Sequence, residues 1–242
     1  MSEVNCERIL SVYRVCIVNN KEPINQQIYR FLKRAIIECR LMPGDPLSEN
    51  AVSSKFKSKV SRQPVREALI KLAKNDFVII SPKKATRVAP INRSDILQGA
   101  EIRCAIEGYF IRKAAELIDT KTLNFLKDNV KKQEQAAKDY NIRDHFALDD
   151  EFHSTILNAA GAPKAWNMIE SVKGVMDRVR FLSLENELIP MGVTSKAHEK
   201  ILAALEKHNA QEAEKAMLEH VLNTRASLES TMAKCRKDWF ID

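Results

Sequence analysis

Apolar residues first fall into a regular helical rhythm at Ile24. Ile24, Ile28, Phe31, Leu32, Ala35 and Ile36 recur three and four residues apart, which predicts an amphipathic helix. Leu41-Met42-Pro43-Gly44-Asp45-Pro46 breaks it with two prolines and a glycine. Ser48 can cap a second helix by accepting an orphan backbone N–H, with Val52 and Phe56 as its apolar seam. Lys57-Ser58-Lys59 then makes a short turn. Ser61 is placed to cap a third helix, which takes Pro64 in its first turn at little cost and buries Val65, Leu69 and Leu72. The period changes after that. Phe77-Val78-Ile79-Ile80 and Thr86-Arg87-Val88-Ala89 read as strands joined by the turn Ser81-Pro82-Lys83-Lys84. Helix, helix, turn, helix, hairpin is the order of a winged helix-turn-helix.

A polar junction, Asn92-Arg93-Ser94-Asp95, follows, and the domain boundary falls near residue 91. Beyond it the alternation of strands is gone. Helical segments are separated by Asp119-Thr120, Tyr140-Asn141, Ala160-Gly161-Ala162-Pro163, Ile189-Pro190-Met191-Gly192 and His208-Asn209. Segments of roughly 15 to 25 residues suit an antiparallel bundle. The predicted fold is therefore mainly α. It comprises an N-terminal extension (1–21), a winged helix-turn-helix (22–91), an all-α bundle (92–235) and a C-terminal tail (236–242).

Composition narrows the class. With 45% hydrophobic and 29% charged residues, the chain is an ordinary globular protein rather than a disordered one. No apolar run approaches the ~20 residues of a membrane span. Ile9 to Val18 is interrupted by Arg14 and preceded by Glu3 and Glu7, which excludes a secretory signal. The cysteines Cys6, Cys16, Cys39, Cys104 and Cys235 are scattered and form no CxxC pair, a usage that fits the cytoplasm. The net charge of +7 hides a split: residues 21–93 hold 16 Lys and Arg against 6 Asp and Glu, a balance of +10, whereas residues 94–242 hold 21 against 24. Such a basic block attracts a polyanion, through release of condensed counterions.

Within that block Arg62 and Arg66 sit one turn apart at the start of the third helix, on a face away from its apolar stripe. An arginine fork matches guanine O6 and N7, and Lys83, Lys84 and Arg87 on the hairpin could reach phosphates or the minor groove. Leu47-Ser48-Glu49, followed by Ser61-Arg62-Gln63-Pro64-Val65-Arg66-Glu67-Ala68-Leu69, resembles the DNA-binding signature of the GntR family of bacterial transcription regulators. The resemblance implies that Arg62 and Arg66 contact double-stranded operator DNA, with Ser61 and Gln63 beside them. The chain departs from the family pattern in three places: a turn about two residues longer than usual at Lys57-Ser58-Lys59, Lys83 where glycine is usual, and Asn50 where arginine is common.

The second part carries a different chemistry. Asp149 and His153 stand at i and i+4 on one helix face. His198 lies early in a later helix and His220 in the middle of the last. One carboxylate and three imidazoles can hold a first-row transition metal with a position left open, although a single helical His is more often a structural residue. LDDEFH, KAHEKIL and MLEHVL, which carry these four residues, resemble the metal-binding positions of the FCD effector domain, the partner of the winged helix in the FadR subgroup. The resemblance spans about residues 22–235 and implies Zn, Ni or Mn, a small carboxylic acid effector and a homodimer. Arg103, within Glu101-Ile102-Arg103-Cys104-Ala105-Ile106-Glu107, is the first candidate to anchor the acid, and an Arg103–Glu107 ion pair at i,i+4 is an equal alternative. Arg180 is the second candidate. His145 and His208 match no motif position and are expected at the surface.

These features together predict a transcription regulator, not an enzyme. The rival reading is a metal-dependent enzyme acting on a small carboxylic acid, since three His and one Asp could activate water. No general base is paired with the cluster, and no phosphate-cradling loop of the GxxxxGK[ST] type is present.

Overall fold

The computed structural model describes residues 22–54, 60–82 and 84–242. The extension at 1–21, Phe56, the Lys57-Ser58-Lys59 turn and Lys83 lie outside the described residues. The chain divides into two compact units. One runs to Arg93 and takes back Cys235–Asp242; the other is Ser94–Lys234.

In the first unit the amphipathic periodicity becomes α1 (Ile24–Ile37), α2 (Glu49–Ser54) and α3 (Arg62–Lys74). Their apolar stripes close on one another: Ile28, Leu32, Ile36, Val52, Val65, Leu69 and Leu72 are all buried in one cluster with Phe77 and Val88. Ile24, the first residue of the α1 stripe, is instead 42% exposed. Ser48 Oγ accepts the Ala51 N–H at 3.0 Å, so it caps α2. Ser61 occupies the N-cap position of α3 with extended backbone, but its side chain makes no capping hydrogen bond.

The hairpin is β2 (Val78–Ile79) and β3 (Thr86–Val88), antiparallel with Val78 opposite Val88. A third strand was not foreseen. β1 (Pro46–Leu47) pairs antiparallel with β3 on its other edge, Pro46 opposite Arg87. The proline-rich break therefore does more than end a helix. Prolines are tolerated on an edge strand because the missing donor faces outward, and Gly44, at φ +88, sets the turn into the strand.

The segment 236–242, expected as a tail, is built into the first unit. Lys237–Trp239 forms a 3₁₀ turn, and β5 (Phe240–Ile241) pairs in parallel with β4 (Ile91–Asn92). Phe240 is buried, and Arg93 sits over its ring and near Asp242.

The second unit is all helix: α4 (Arg93–Leu117), α5 (Thr120–Lys138), α6 (Ile142–Ala159), α7 (Pro163–Glu185), α8 (Gly192–Glu206) and α9 (Ala210–Lys234). Local chemistry places the ends. Asp119 and Asn141 accept the backbone N–H of Thr122 and Asp144 as N-caps, and Pro163 opens α7 at its first position. α5 packs on α6 and α8, α7 on α6, and α9 on α7 and α8. The faces turned inward carry an unusual load of buried polar groups, among them Arg103, Glu107, Asn129, Gln133, Asp149, Lys173, Asp177 and Arg180.

Candidate metal centre and nucleic-acid interface

Asp149, His153, His198 and His220 converge. One ligand atom from each lies within 4.8 Å of all the others, and all four residues are buried. The i,i+4 spacing on α6 places Asp149 and His153 on one face, with Asp149 Oδ1 4.0 Å from His153 Nε2. α8 brings His198 Nε2 to 3.6 Å from the same oxygen. α9 supplies His220, whose ring centre is 4.7 Å from that of His198 and 5.2 Å from that of His153.

Polar contacts behind two of the rings, those of His198 and His153, decide which nitrogen each presents. Asn129 Nδ2 donates to the Leu148 carbonyl and to Glu151, which leaves its Oδ1 to accept from Gln133 Nε2 at 2.7 Å. Gln133 must then offer Oε1 to His198 Nδ1, 2.8 Å away. His198 Nδ1 carries the proton and Nε2 the lone pair. His153 Nδ1 likewise rests against the Glu107 carboxylate, which orients its Nε2 toward the cluster. Glu107 is itself gripped by Arg103 at 2.6 Å, and Asp149 Oδ2 accepts from Arg180 at 3.0 Å. All six helices of this unit contribute a residue to the arrangement.

Two acceptors thus face each other in the buried interior. Asp149 Oδ1 and His198 Nε2 are buried without a hydrogen-bond partner. Buried orphan acceptors are costly, and a cation between them removes the cost. The residues therefore fit a divalent metal: Oδ1 of Asp149 and imidazole nitrogens of the three histidines would hold it.

Electrostatics favours the ligating forms. Burial opposes ionisation of Asp149, but Arg180 and the three imidazoles outweigh it and hold the carboxyl well below its usual range. Burial, helped by the neighbouring His153, pushes His220 down to about 3, and burial with His220 and His153 depresses His198 strongly. Both rings are neutral at physiological pH, as metal ligation requires.

A cleft of about 610 Å³, counting its open mouth, adjoins the cluster, with Arg180, Ser183, Thr194, His220, Asn223 and Ser227 among its lining residues. The two arginines singled out from sequence differ in position. Arg180 lines the cleft while bonded to Asp149 and Asp177. Arg103 is 2% exposed, paired with Glu107, with Nη2 3.4 Å from His153 Nε2; it does not line this cleft.

Sequence reasoning missed several members. His145 was expected at the surface but is fully buried, with neither ring nitrogen in a good hydrogen bond. It lies one turn before Asp149 on α6, so the i,i+4 argument that paired Asp149 with His153 also reaches it. Burial lowers its pKa against the pull of Asp149. His208 is exposed as expected, its Nδ1 near the Ala115 carbonyl. Gln133 and Asn129 interrupt the stripe of Leu123, Leu126, Val130 and Ala136 on α5, which was the available signal. Lys173, also unforeseen, is buried in ion pairs with Asp150 and Asp177.

In the first unit the predicted nucleic-acid residues are presented differently. Ser61, Arg62, Gln63, Arg66, Lys84 and Arg87 are all exposed. Arg62 has no ion pair among the described residues. Arg66 is held by Glu49 through two hydrogen bonds, at 2.8 and 3.2 Å. Gln63 donates to Glu67, and Arg87 donates to the Gly44 carbonyl at 2.7 Å.

Residues 98–223 match the FCD domain, and residues 24–88 match the family described as bacterial regulatory proteins, gntR family. The HTH-type transcriptional repressor RspR of Escherichia coli K12 is 38% identical over 223 residues, 92% of this chain and 96% of that protein. A probable D-xylose utilization operon transcriptional repressor of Paenarthrobacter nicotinovorans is 26% identical, over 82% of this chain and 85% of its own length. Among solved structures, E. coli McbR/YncC superposes with a TM-score of 0.74 at 21% identity, covering 86% of this chain and 98% of that one.

Proposed function

The chain belongs to the GntR family of bacterial transcriptional regulators and carries an FCD domain, and from that premise we propose that its affinity for operator DNA is set by a small carboxylic acid bound beside a divalent metal. Regulators of this family act by binding DNA and are not enzymes, so water activation at the cluster is not its purpose. Among the described residues no helix is long and apolar enough to cross a membrane.

The observation that carries the proposal is the meeting of Asp149, His153, His198 and His220 around two orphan acceptors. Bound there, Zn, Ni or Mn would supply a Lewis-acidic point at which a carboxylate can dock. Arg180, lining the adjoining cleft, anchors the other carboxylate oxygen. Arg103 adds positive field from beside His153. In the first unit Ser61, Arg62, Gln63 and Arg66 read bases, while Lys83, Lys84 and Arg87 hold the backbone. A homodimer presents two such units to half-sites about one turn (~34 Å) apart.

The acid must bind two states of the bundle unequally for operator affinity to change. Calorimetric titration of metal-loaded protein with a panel of small carboxylic acids, with and without a duplex selected by the protein, tests this. Acid and duplex should alter each other's affinity by the same factor. Independent binding overturns the switch, and binding of acid to metal-stripped protein at full strength overturns the role of the metal.

A further inference from the structure

We propose that Glu49 is a positioning residue for sequence reading: by gripping one edge of the Arg66 guanidinium it leaves the other edge set for a guanine. The inference rests on the DNA-reading role given to Arg66 above. Glu49 opens α2 and Arg66 lies in α3, so the pair ties the two helices to each other. Glu49 Oε1 accepts from Arg66 Nε at 2.8 Å, and Oε2 accepts from Nη2 at 3.2 Å.

The stereochemistry of this grip matters. A guanidinium has five N–H donors in a rigid plane. Glu49 takes the Nε donor and one Nη2 donor. Both Nη1 donors and the second Nη2 donor stay open, and the end-on Nη1–Nη2 fork is the pair that fits guanine O6 and N7. Among the described residues Arg66 has no other hydrogen-bond partner, and its side chain is 61% exposed. The grip therefore restricts a long side chain without occupying its reading edge, which removes in advance part of the ordering loss on binding. Arg62, one turn earlier, has no such restraint among the described residues.

Two alternatives predict something else. As a folding contact the pair would matter little, because exposed ion pairs contribute little to stability. As a mask, Glu49 would compete with DNA for Arg66, and its removal would improve every kind of binding. A positioning carboxylate has a third signature. Its negative charge repels phosphates, so losing it should strengthen nonspecific binding slightly while weakening discrimination.

The experiment uses the full chain. The wild type first selects a duplex from a random library. Wild type, E49Q, R66A and the double variant are then measured on that duplex, on the same duplex with each guanine in turn replaced by 7-deazaguanine, and on an unrelated duplex, all at one salt concentration. E49Q should lower the selected-to-unrelated ratio by about tenfold, bind the unrelated duplex at least as well as wild type, and lose sensitivity to one deazaguanine. The effect should vanish in the R66A background. An unchanged ratio, or tighter binding to both duplexes with the ratio kept, overturns the proposal. So does an equal loss in the R66A background, which marks a structural role. If the wild type enriches no sequence, the DNA-reading premise itself falls, a result distinct from failure of E49Q alone.

Discussion

The two units solve recognition in opposite ways. In the first, the residues assigned to DNA stand on the surface with at most one neighbour to lean on: among the described residues Arg62 has no ion pair, and Arg66 has Glu49. In the second, every residue assigned to the metal is buried, from 0% exposed for His198 to 6% for His220, and three of the four are held by a partner that is held in turn: Asp149 by Arg180, His153 by Glu107 and His198 by Gln133. An exposed reading surface can tolerate loose side chains because water satisfies them until the ligand arrives. A buried centre has no such reserve, so each polar atom must be partnered or wait for an ion. Surface variants should therefore alter binding to DNA with little change in folding. Variants of the buried set should alter affinity and stability together.

Metal removal tests that contrast most forcefully. Saturation at about a hundred times Kd should add about 2.7 kcal/mol to the helical unit, seen as a rise in its thermal midpoint that a chelator reverses. An unshifted midpoint would break the comparison. His153→Ala should abolish the rise and weaken metal affinity by more than ~100-fold, beyond what loss of a supporting partner causes, while nonspecific DNA binding persists. Next comes Gln133→Leu. It touches no metal but frees His198 Nδ1, and should weaken affinity by roughly 10–100-fold by calorimetry. An effect as large as that of His153→Ala would make Gln133 more than an orienting partner. The smallest change is expected at the surface. Arg62→Ala should cost ~1–3 kcal/mol on a selected duplex, relax preference at one base and leave the thermal midpoint in place.

Much of this was legible from side-chain spacing, for physical reasons that also define where it stopped. The three helices of the first unit and the arginines of α3 follow from a 3.6-residue period, which local sequence records directly. The four residues of the candidate metal site stand out because His and Asp are rare on inward faces and two of them share an i,i+4 pair. β1 was hidden because Pro46 reads as a breaker, and its strand character comes only from pairing with β3. β4 and β5 span two residues each, too short to carry an alternation. Gln133, and the contact of Glu107 with His153 beyond its expected pairing with Arg103, were obscure for another reason. An amide or carboxylate on a helix acquires meaning only when a histidine from a distant segment packs against it. His145 was wrongly expected at the surface because motif membership, rather than helical phase, guided its placement.

The parallel pairing of β5 with β4 means that the reading head cannot be excised with one cut. A fragment ending at Arg93 would strip Ile91 of its partner strand and remove the Phe240 ring from beneath the Arg93 guanidinium. A minimal head would need residues 235–242 restored by a short artificial bridge. Any peptide appended after Asp242 would leave from the first unit, so a reporter fused there would be carried by the reading head rather than by the helical unit.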